Sequence, residues 1–355
     1  MTDTYRIVSI RQASDLLDWF DRHRRDLPWR RTRDPYSIWL SEVMLQQTRI
    51  ETALPYYQRF LEKFPTVEDL ARAEVEEVLA LWSGLGYYRR ARQLHAAAQR
   101  VVEIGGFPRT VEGLRELPGI GAYTAAAVAS IAFGVAEPVL DGNVERVLSR
   151  WLALELDPKS RPARERMLAA AAGLLDPSRA GDSNQALMEL GATVCVPKRP
   201  RCLLCPISPS CQAAGNDPER FPVARAKRER ELHRLLVAVV ERDGGVLLFR
   251  RAEDSALLAG IWELPWTNLE PAPEKGLAER YGGRWSLGER VGGVQHSITY
   301  RDLELEVHRA EVAAPEGTWG WFGERERAEM PLSSLVKKVL RVAGRDRTPG
   351  VETPG

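Results

Sequence analysis

Leu117-Pro118-Gly119-Ile120-Gly121-Ala122-Tyr123-Thr124-Ala125 joins two segments of helical periodicity, Thr110 to Leu117 and Ala122 to Phe133. Gly119 and Gly121 allow a tight turn and leave backbone N–H groups free at the start of the second helix. Such a turn is an anion site made from main chain, and a phosphate fits it. The same stretch also reads as a plain helix–helix connection, and both readings stand at this point.

Outward from the hairpin the chain stays helical. Apolar residues recur at helical spacing in Ser14 to Arg24, with Ser14 as N-cap, and in the segment opened by Asp34-Pro35 that runs through IWLSEVMLQQT. Further helical patterns cover Thr66 to Trp82, Arg89 to Ile104, Val144 to Leu154, Pro162 to Leu174 and Asn184 to Val194. Residues 1–211 therefore read as an all-α array. Residues 212–232 are polar and Pro-interrupted and read as a linker, whose Arg225, Lys227, Arg228 and Arg230 either follow a phosphate backbone or are simply solvated. Beyond them LLVAVVER, GGVLLFRR and LELEVHRAEV are strand-like and Leu335 to Val342 is helical, so residues 233–343 form a small α+β domain. Residues 344–355 have little to bury and read as a disordered tail.

Length and composition agree with two domains: 355 residues, 44% hydrophobic and 28% charged. With no signal-like or membrane-length apolar stretch, the expectation is a soluble cytoplasmic protein. The net charge of +1 hides an asymmetry. Residues 1–230 hold 33 Lys and Arg against 29 Asp and Glu, and the rest hold 17 against 20. A mildly basic front weakly favours an anionic partner.

The four cysteines are more informative. They are spaced Cys195-x6-Cys202-x2-Cys205-x5-Cys211, within seventeen residues of a long chain. A disulfide scaffold scatters its cysteines; this loop has the look of a metal site, for one zinc or one [4Fe–4S] cluster. Lys198, Arg199 and Arg201 among the ligands add a basic surface suited to phosphates.

Two carboxyls carry the chemistry. Glu42 lies in the apolar run WLSEVML, where desolvation raises a carboxyl pKa toward the range of a general acid; a half-exposed helical Glu is the ordinary alternative. Asp141 opens DGNVERVLSR, and an Asp before Gly is most often a cap or turn residue.

The blocks LPWR (27–30), SEVMLQQT (41–48), LWSGLGYYRRARQLH (81–95), LPGIGAYTA (117–125), DGNVERVLSR (141–150) and NQALMELGATVC (184–195) resemble the MutY family of adenine DNA glycosylases, within the helix-hairpin-helix (endonuclease III) superfamily. The resemblance implies a multidomain fold: an all-α helix-hairpin-helix glycosylase domain with a [4Fe–4S] cluster on Cys195, Cys202, Cys205 and Cys211, then an α+β Nudix-like domain. It implies a monomeric bacterial, nucleoid-associated base-excision-repair enzyme. Its substrate would be double-stranded DNA with adenine opposite 8-oxoguanine or guanine. The adenine is flipped out; Glu42 protonates it and later activates water, and Asp141 stabilises the oxocarbenium-like sugar cation, with Asn143 hydrogen-bonding nearby. Arg30, Leu45 and Gln185 would line the adenine pocket. Gln47 and Tyr87 would wedge into the stack, Thr48 and Leu85 would meet the opposite base, and Gly119 and Gly121 would hold a phosphate. Relatives that also cut the backbone carry a Lys where this chain has Tyr123, so weak or no lyase activity is implied. A G·T thymine glycosylase and a non-catalytic cluster-containing DNA-binding protein are the rival readings.

Residues 233–343 resemble the Nudix-like domain of the same family, best in LLAGIWELPW (257–266). The acidic GX5EX7REXXEE helix of hydrolytic Nudix enzymes is absent, so this domain is expected to read DNA. Where the family reads 8-oxoguanine through a Phe-Ser-His loop, this chain has Ile298-Thr299-Tyr300. Thr299 keeps the hydroxyl, but the flanking packing group and donor are replaced, which puts strict 8-oxoguanine dependence in doubt.

Overall fold

The computed structural model describes residues 2–223, 229–252, 255 and 258–345. Arg225, Lys227 and Arg228 of the linker, Leu257 of the LLAGIWELPW block and the tail from residue 346 lie outside the described residues. The chain divides into two compact units, residues 1–72 with 93–226, and residues 73–92 with 227–355. The second unit thus takes in a segment that the sequence places inside its continuous 1–211 domain.

The first unit is helical: α1 (Thr2–His23), α2 (Pro35–Leu45), α3 (Ile50–Lys63) and α4 (Val67–Arg72) precede α5 (Val75–Leu81), which belongs to the second unit. Then come α6 (Tyr88–Glu103), shared between units at Arg92, α7 (Val111–Arg115), α8 (Ala122–Phe133), α9 (Gly142–Trp151), α10 (Arg161–Gly173) and α11 (Ala180–Thr193). Local signals explain several boundaries. Asp34 caps α2 by accepting from the amides of Tyr36 and Ser37, with Pro35 at the first turn. The Ala-rich α8 is buried over most of its length and stops at Gly134, φ +72°. In the hairpin, Gly119 has φ +73° and a Cβ there would lie 2.6 Å from Gln93 Cβ, so only glycine fits.

Three sequence expectations change. α1 begins at Thr2, so Ser14 lies inside the helix rather than capping it. The Thr66–Trp82 pattern is two helices, broken where Glu74 and Glu77 form a capping box at the start of α5. α3 has no counterpart in the sequence reading: Pro55 sits inside it, yet Ala53, Tyr57 and Phe60 bury one face. No helix among the described residues is long and apolar enough to cross a membrane.

The second unit is built on a mixed sheet. Its strands are β1 (Glu231–Arg242), β2 (Gly245–Arg250), β3 (Trp262–Glu263), β4 (Trp266–Asn268), β5 (Arg284–Ile298), β6 (Arg301–Ala313) and β7 (Trp319–Phe322), with α12 (Pro273–Tyr281), α13 (Glu324–Glu329) and α14 (Ser334–Val342). The order is β3-β2-β1-β6-β5, with β4 on β1 and β7 on β2. β1 starts within the expected linker, and neither β5 nor α12 is anticipated by the sequence reading. β1 and β6 run parallel, in register from Glu231 opposite Arg301 to Val240 opposite Ala310. β1 explains its own unbroken apolar run. Leu235, Val237 and Val239 pack with α14 residues Val336, Val339 and Leu340. Leu236, Ala238 and Val240 pack with Leu277 and Tyr281 of α12. A central strand covered on both faces has no solvent side to require alternation.

Candidate active site

Glu42 points from the buried middle of α2, and Tyr123 Oη from the first turn of α8 lies 2.6 Å from its Oε2 and 3.3 Å from Met188 Sδ of α11. Burial pushes the Glu42 carboxyl up to about 7; the nearby Asp141 charge acts the same way, while the Tyr123 hydrogen bond and the Arg30 charge oppose it. Burial likewise raises Tyr123, which therefore stays a neutral phenol beside the acid.

Asp141 is, as its local sequence suggests, the N-cap of α9: Oδ1 accepts from Val144 N at 2.7 Å. Its other oxygen accepts from Asn143 Nδ2 at 3.3 Å. Burial raises the Asp141 pKa, and these donors and the Arg146 charge pull it back. The end of α9 also favours the anion. The two carboxyls thus sit in unlike surroundings, one buried against a phenol, the other against N–H donors and a helix N-terminus. These surroundings favour the charged form more at Asp141 than at Glu42.

The amide of Asn143 is fixed from behind. Arg146 Nη2 donates to Asn143 Oδ1 at 2.8 Å and to Gly191 O at 2.7 Å, and its Nε donates to Cys195 O at 2.8 Å. With the Asn143 oxygen taken by Arg146, its nitrogen must face Asp141. A Cβ on Gly191 would lie 2.7 Å from Asn143 Cβ, so α11 passes close only because residue 191 is glycine. Asn184, one turn in from the start of α11, donates to Ser130 Oγ and Glu137 O and accepts from Val139 N, which anchors the segment leading to Asp141.

Arg30 donates to Glu189 Oε2 at 2.8 Å and to Arg25 O at 3.1 Å. Arg25 grips the same carboxylate through Nε and Nη2, both at 2.8 Å, and through its amide at 3.0 Å. Burial alone would raise Glu189, but these bonds outweigh it and hold the carboxyl down to about 2. Gln185 is buried one turn before Glu189 on α11, and Leu45 ends α2 half-buried. Glu189, Met188 and Arg146 escape the sequence reading. The signal available for Glu189 is its place four residues after Gln185, on the same helix face.

Three of the expected DNA-contacting residues share a backbone feature. Gln47 (φ +57°), Tyr87 (φ +51°) and Thr299 (φ +54°) are left-handed without being glycine. Such conformations are sparsely populated and collect at functional sites. Gln47 lies exposed just after α2, and half-buried Thr48 follows it. In the second unit Tyr87 is 49% exposed, whereas Leu85 is 6% exposed and Tyr88, 4% exposed, is packed inside. Thr299 and Tyr300 turn the β5–β6 hairpin, with Thr299 Oγ1 donating to Ile298 O at 2.7 Å and Ile298 exposed. Arg230, read as a possible phosphate contact, is instead forked onto Asp302 with both bonds at 2.5 Å.

Cys195, Cys202, Cys205 and Cys211 form no disulfide. Arg150 holds the entry to their loop by donating to Val196 O and Pro197 O, both at 2.7 Å. Burial pushes the Cys205 thiol up to about 12, and the other three cysteines add to the rise, so the four sulfurs sense one another. Among the described residues no three metal-ligating side chains converge tightly enough to form a closed site. What fits a soft metal or cluster is the donor set, four free thiols on one anchored loop.

Residues 40–171 match the family model described as HhH-GPD superfamily base excision DNA repair protein, and residues 236–342 match the NUDIX domain. A solved structure described as a thermostable thymine-DNA glycosylase superposes with TM-score 0.54 at 31% identity, covering 60% of this chain and 98% of that one. Fold and site define a helix-hairpin-helix DNA glycosylase extended by a Nudix-like domain. Adenine DNA glycosylase of Mus musculus is 38% identical over 398 residues, covering 93% of this chain and 77% of its own. That of Arabidopsis thaliana is 42% identical over 387 residues, covering 93% and 61%. The chain belongs to the adenine DNA glycosylase family, whose work is removal of adenine from DNA in base excision repair.

Proposed function

We propose that this glycosylase excises adenine paired with 8-oxoguanine or guanine in duplex DNA, with Glu42 as general acid and base and Asp141 as the ionised carboxylate. The observation that carries the reading is the buried Glu42–Tyr123 contact with Glu42 raised to about 7, beside a capped Asp141. An acid of that pKa keeps its proton in a large share of molecules at neutral pH and can give it to the extruded adenine at N7. The C1′–N9 bond then breaks, its electrons leave with the base, and the positive charge on the sugar faces Asp141. Glu42, now a carboxylate, takes a proton from the water that adds to C1′ and so returns to its starting state. Asn143, oriented by Arg146, holds the Asp141 oxygen in place. Arg30, Leu45 and Gln185 bound the base, with Glu189 fixing Arg30. With Tyr123 where a Schiff-base lysine stands in lyases, the enzyme is monofunctional.

Cys195, Cys202, Cys205 and Cys211 hold a [4Fe–4S] cluster, which supplies a fold for the basic loop rather than a reaction step. The β5–β6 tip, Ile298-Thr299-Tyr300, reads the base opposite, with the Thr299 hydroxyl in place of a serine. Single-turnover base release tests the whole reading, using adenine opposite 8-oxoguanine, guanine, cytosine and thymine, a G·T duplex, and Glu42→Gln alongside. The expected order puts adenine opposite 8-oxoguanine first and leaves the variant inactive. Equal release opposite plain guanine removes the lesion-reading role of the tip. Release of thymine from G·T, or an active variant, overturns the mechanism.

A further inference from the structure

Residues 73–92 group with residues 227–355, and the bonds that tie them there are directional. Ser83 Oγ and Tyr88 Oη both donate to the main-chain carbonyl of Leu332, at 3.1 and 2.7 Å. Arg92 Nη2 donates to Ala259 O at 2.8 Å, and Arg250 pairs with Glu76 at 2.7 Å. Leu332 is buried and bridges to Trp262 beside the sheet, so the carbonyl they converge on is a fixed point.

The chain between the two hydroxyls is Gly84-Leu85-Gly86-Tyr87, and Tyr87 is both exposed and left-handed. A bulky residue keeps that conformation only where its surroundings over-determine it. Here they do. Trp82 Nε1 donates to Gly86 O at 2.9 Å, Arg90 Nη2 reaches the same oxygen at 3.3 Å, and Arg90 N donates to Tyr87 O at 2.8 Å. The Arg90 guanidinium lies 5.1 Å from the Tyr87 ring and 5.4 Å from the Trp82 ring, within cation–π range of both.

We propose that Ser83 and Tyr88 are positioning residues for base extrusion: by clamping the Leu332 carbonyl they make Tyr87 a rigid projection of the second unit. The inference rests on reading Tyr87 as the residue that enters the base stack. Parting stacked bases is uphill, and a wedge does that work only if it cannot yield. The tip at Ile298-Thr299-Tyr300 and the wedge then belong to one compact unit, which presents both to the duplex.

The test uses the full-length enzyme and an A·8-oxoguanine duplex with 2-aminopurine beside the target adenine, whose fluorescence reports extrusion. Ser83→Ala with Tyr88→Phe removes both donors and keeps the buried ring. Extrusion is expected to slow roughly five- to tenfold for each bond lost, while the pH dependence of base release stays unchanged because Glu42 and Asp141 are untouched. In a Tyr87→Ala background the same pair should have no further effect, since the clamp acts only through Tyr87. Additive effects, or a clamp variant that extrudes normally while Tyr87→Ala does not, overturn the inference and leave the wedge standing. Normal extrusion by Tyr87→Ala alone removes the wedge and the inference together. If the pair lowers the melting temperature, Ser83→Ala alone gives the same comparison in a milder form.

Discussion

Replacing Glu42 by Gln should abolish base release and, at alkaline pH, make the protein more stable. The second effect follows from the first group of observations. The carboxyl is buried on α2 and its pKa is pushed from 4.5 to about 7. Below pH 4.5 both folded and unfolded chains hold the proton, and burial carries no ionic cost. As pH rises toward 7 the unfolded chain gives up its proton while the folded one keeps it, and stability drains away. Above pH 7 the folded chain must also ionise, and the full difference is lost. A rise of that size corresponds to about 3 kcal/mol. Glutamine has no proton to lose and still offers Tyr123 a partner. Urea titrations of the two proteins across pH 4.5 to 8.5 should therefore diverge in the variant's favour by up to about 3 kcal/mol. Most substitutions of buried residues lower stability, so the sign alone is informative. A stability difference that is flat across this pH range would refute the reasoning, because it would mean that Glu42 does not titrate differently in the folded state.

Tyr123→Phe removes the hydrogen bond that holds the Glu42 pKa down. The alkaline limb of base release at subsaturating DNA should move up by about one pH unit, and an unmoved limb would show that the contact does not tune the acid. Gly191→Ala puts a methyl group 2.7 Å from Asn143 Cβ; base release should fall by about 10- to 100-fold, with DNA affinity retained in a gel-shift assay. Glu189 is held down to about 2 by Arg25 and Arg30, so its stabilising effect is present above pH 4.5 and fades as pH falls toward 2. Glu189→Gln should cost about 3 kcal/mol at neutral pH, and acid titration of unfolding should show the gap from the unchanged protein closing below pH 4.

Much of the candidate site was legible along the chain because its parts depend on local rules. The hairpin needs glycine where φ is positive, and Gly119 is there with Gln93 pressed against it. α2 starts where Asp34-Pro35 says it must. Glu42 stands out because a carboxyl in an apolar helical run has no local partner. Asp141 takes the cap role its local sequence suggests, and that role supplies N–H donors that favour its charge. Where local rules conflict, the sequence misleads. Pro55 argues against a helix that Ala53, Tyr57 and Phe60 nonetheless bury, and β1 carries no alternation because both its faces are covered.

What the sequence by itself determined is the list of candidate groups: two carboxyls, a phenol, four thiols on one loop, and two glycines at a turn. What only the tertiary structure decided is which groups act on one another. Nothing in the spacing tells that Glu189 on α11 grips Arg25 and Arg30, or that Arg146 turns the Asn143 amide toward Asp141 while holding the carbonyl of Cys195. Nor does it tell that residues 73–92 leave the helical unit for the other one. Local sequence sets backbone conformation over a few residues, whereas a pKa, an amide's orientation or a wedge's rigidity depends on partners brought close only by long-range packing.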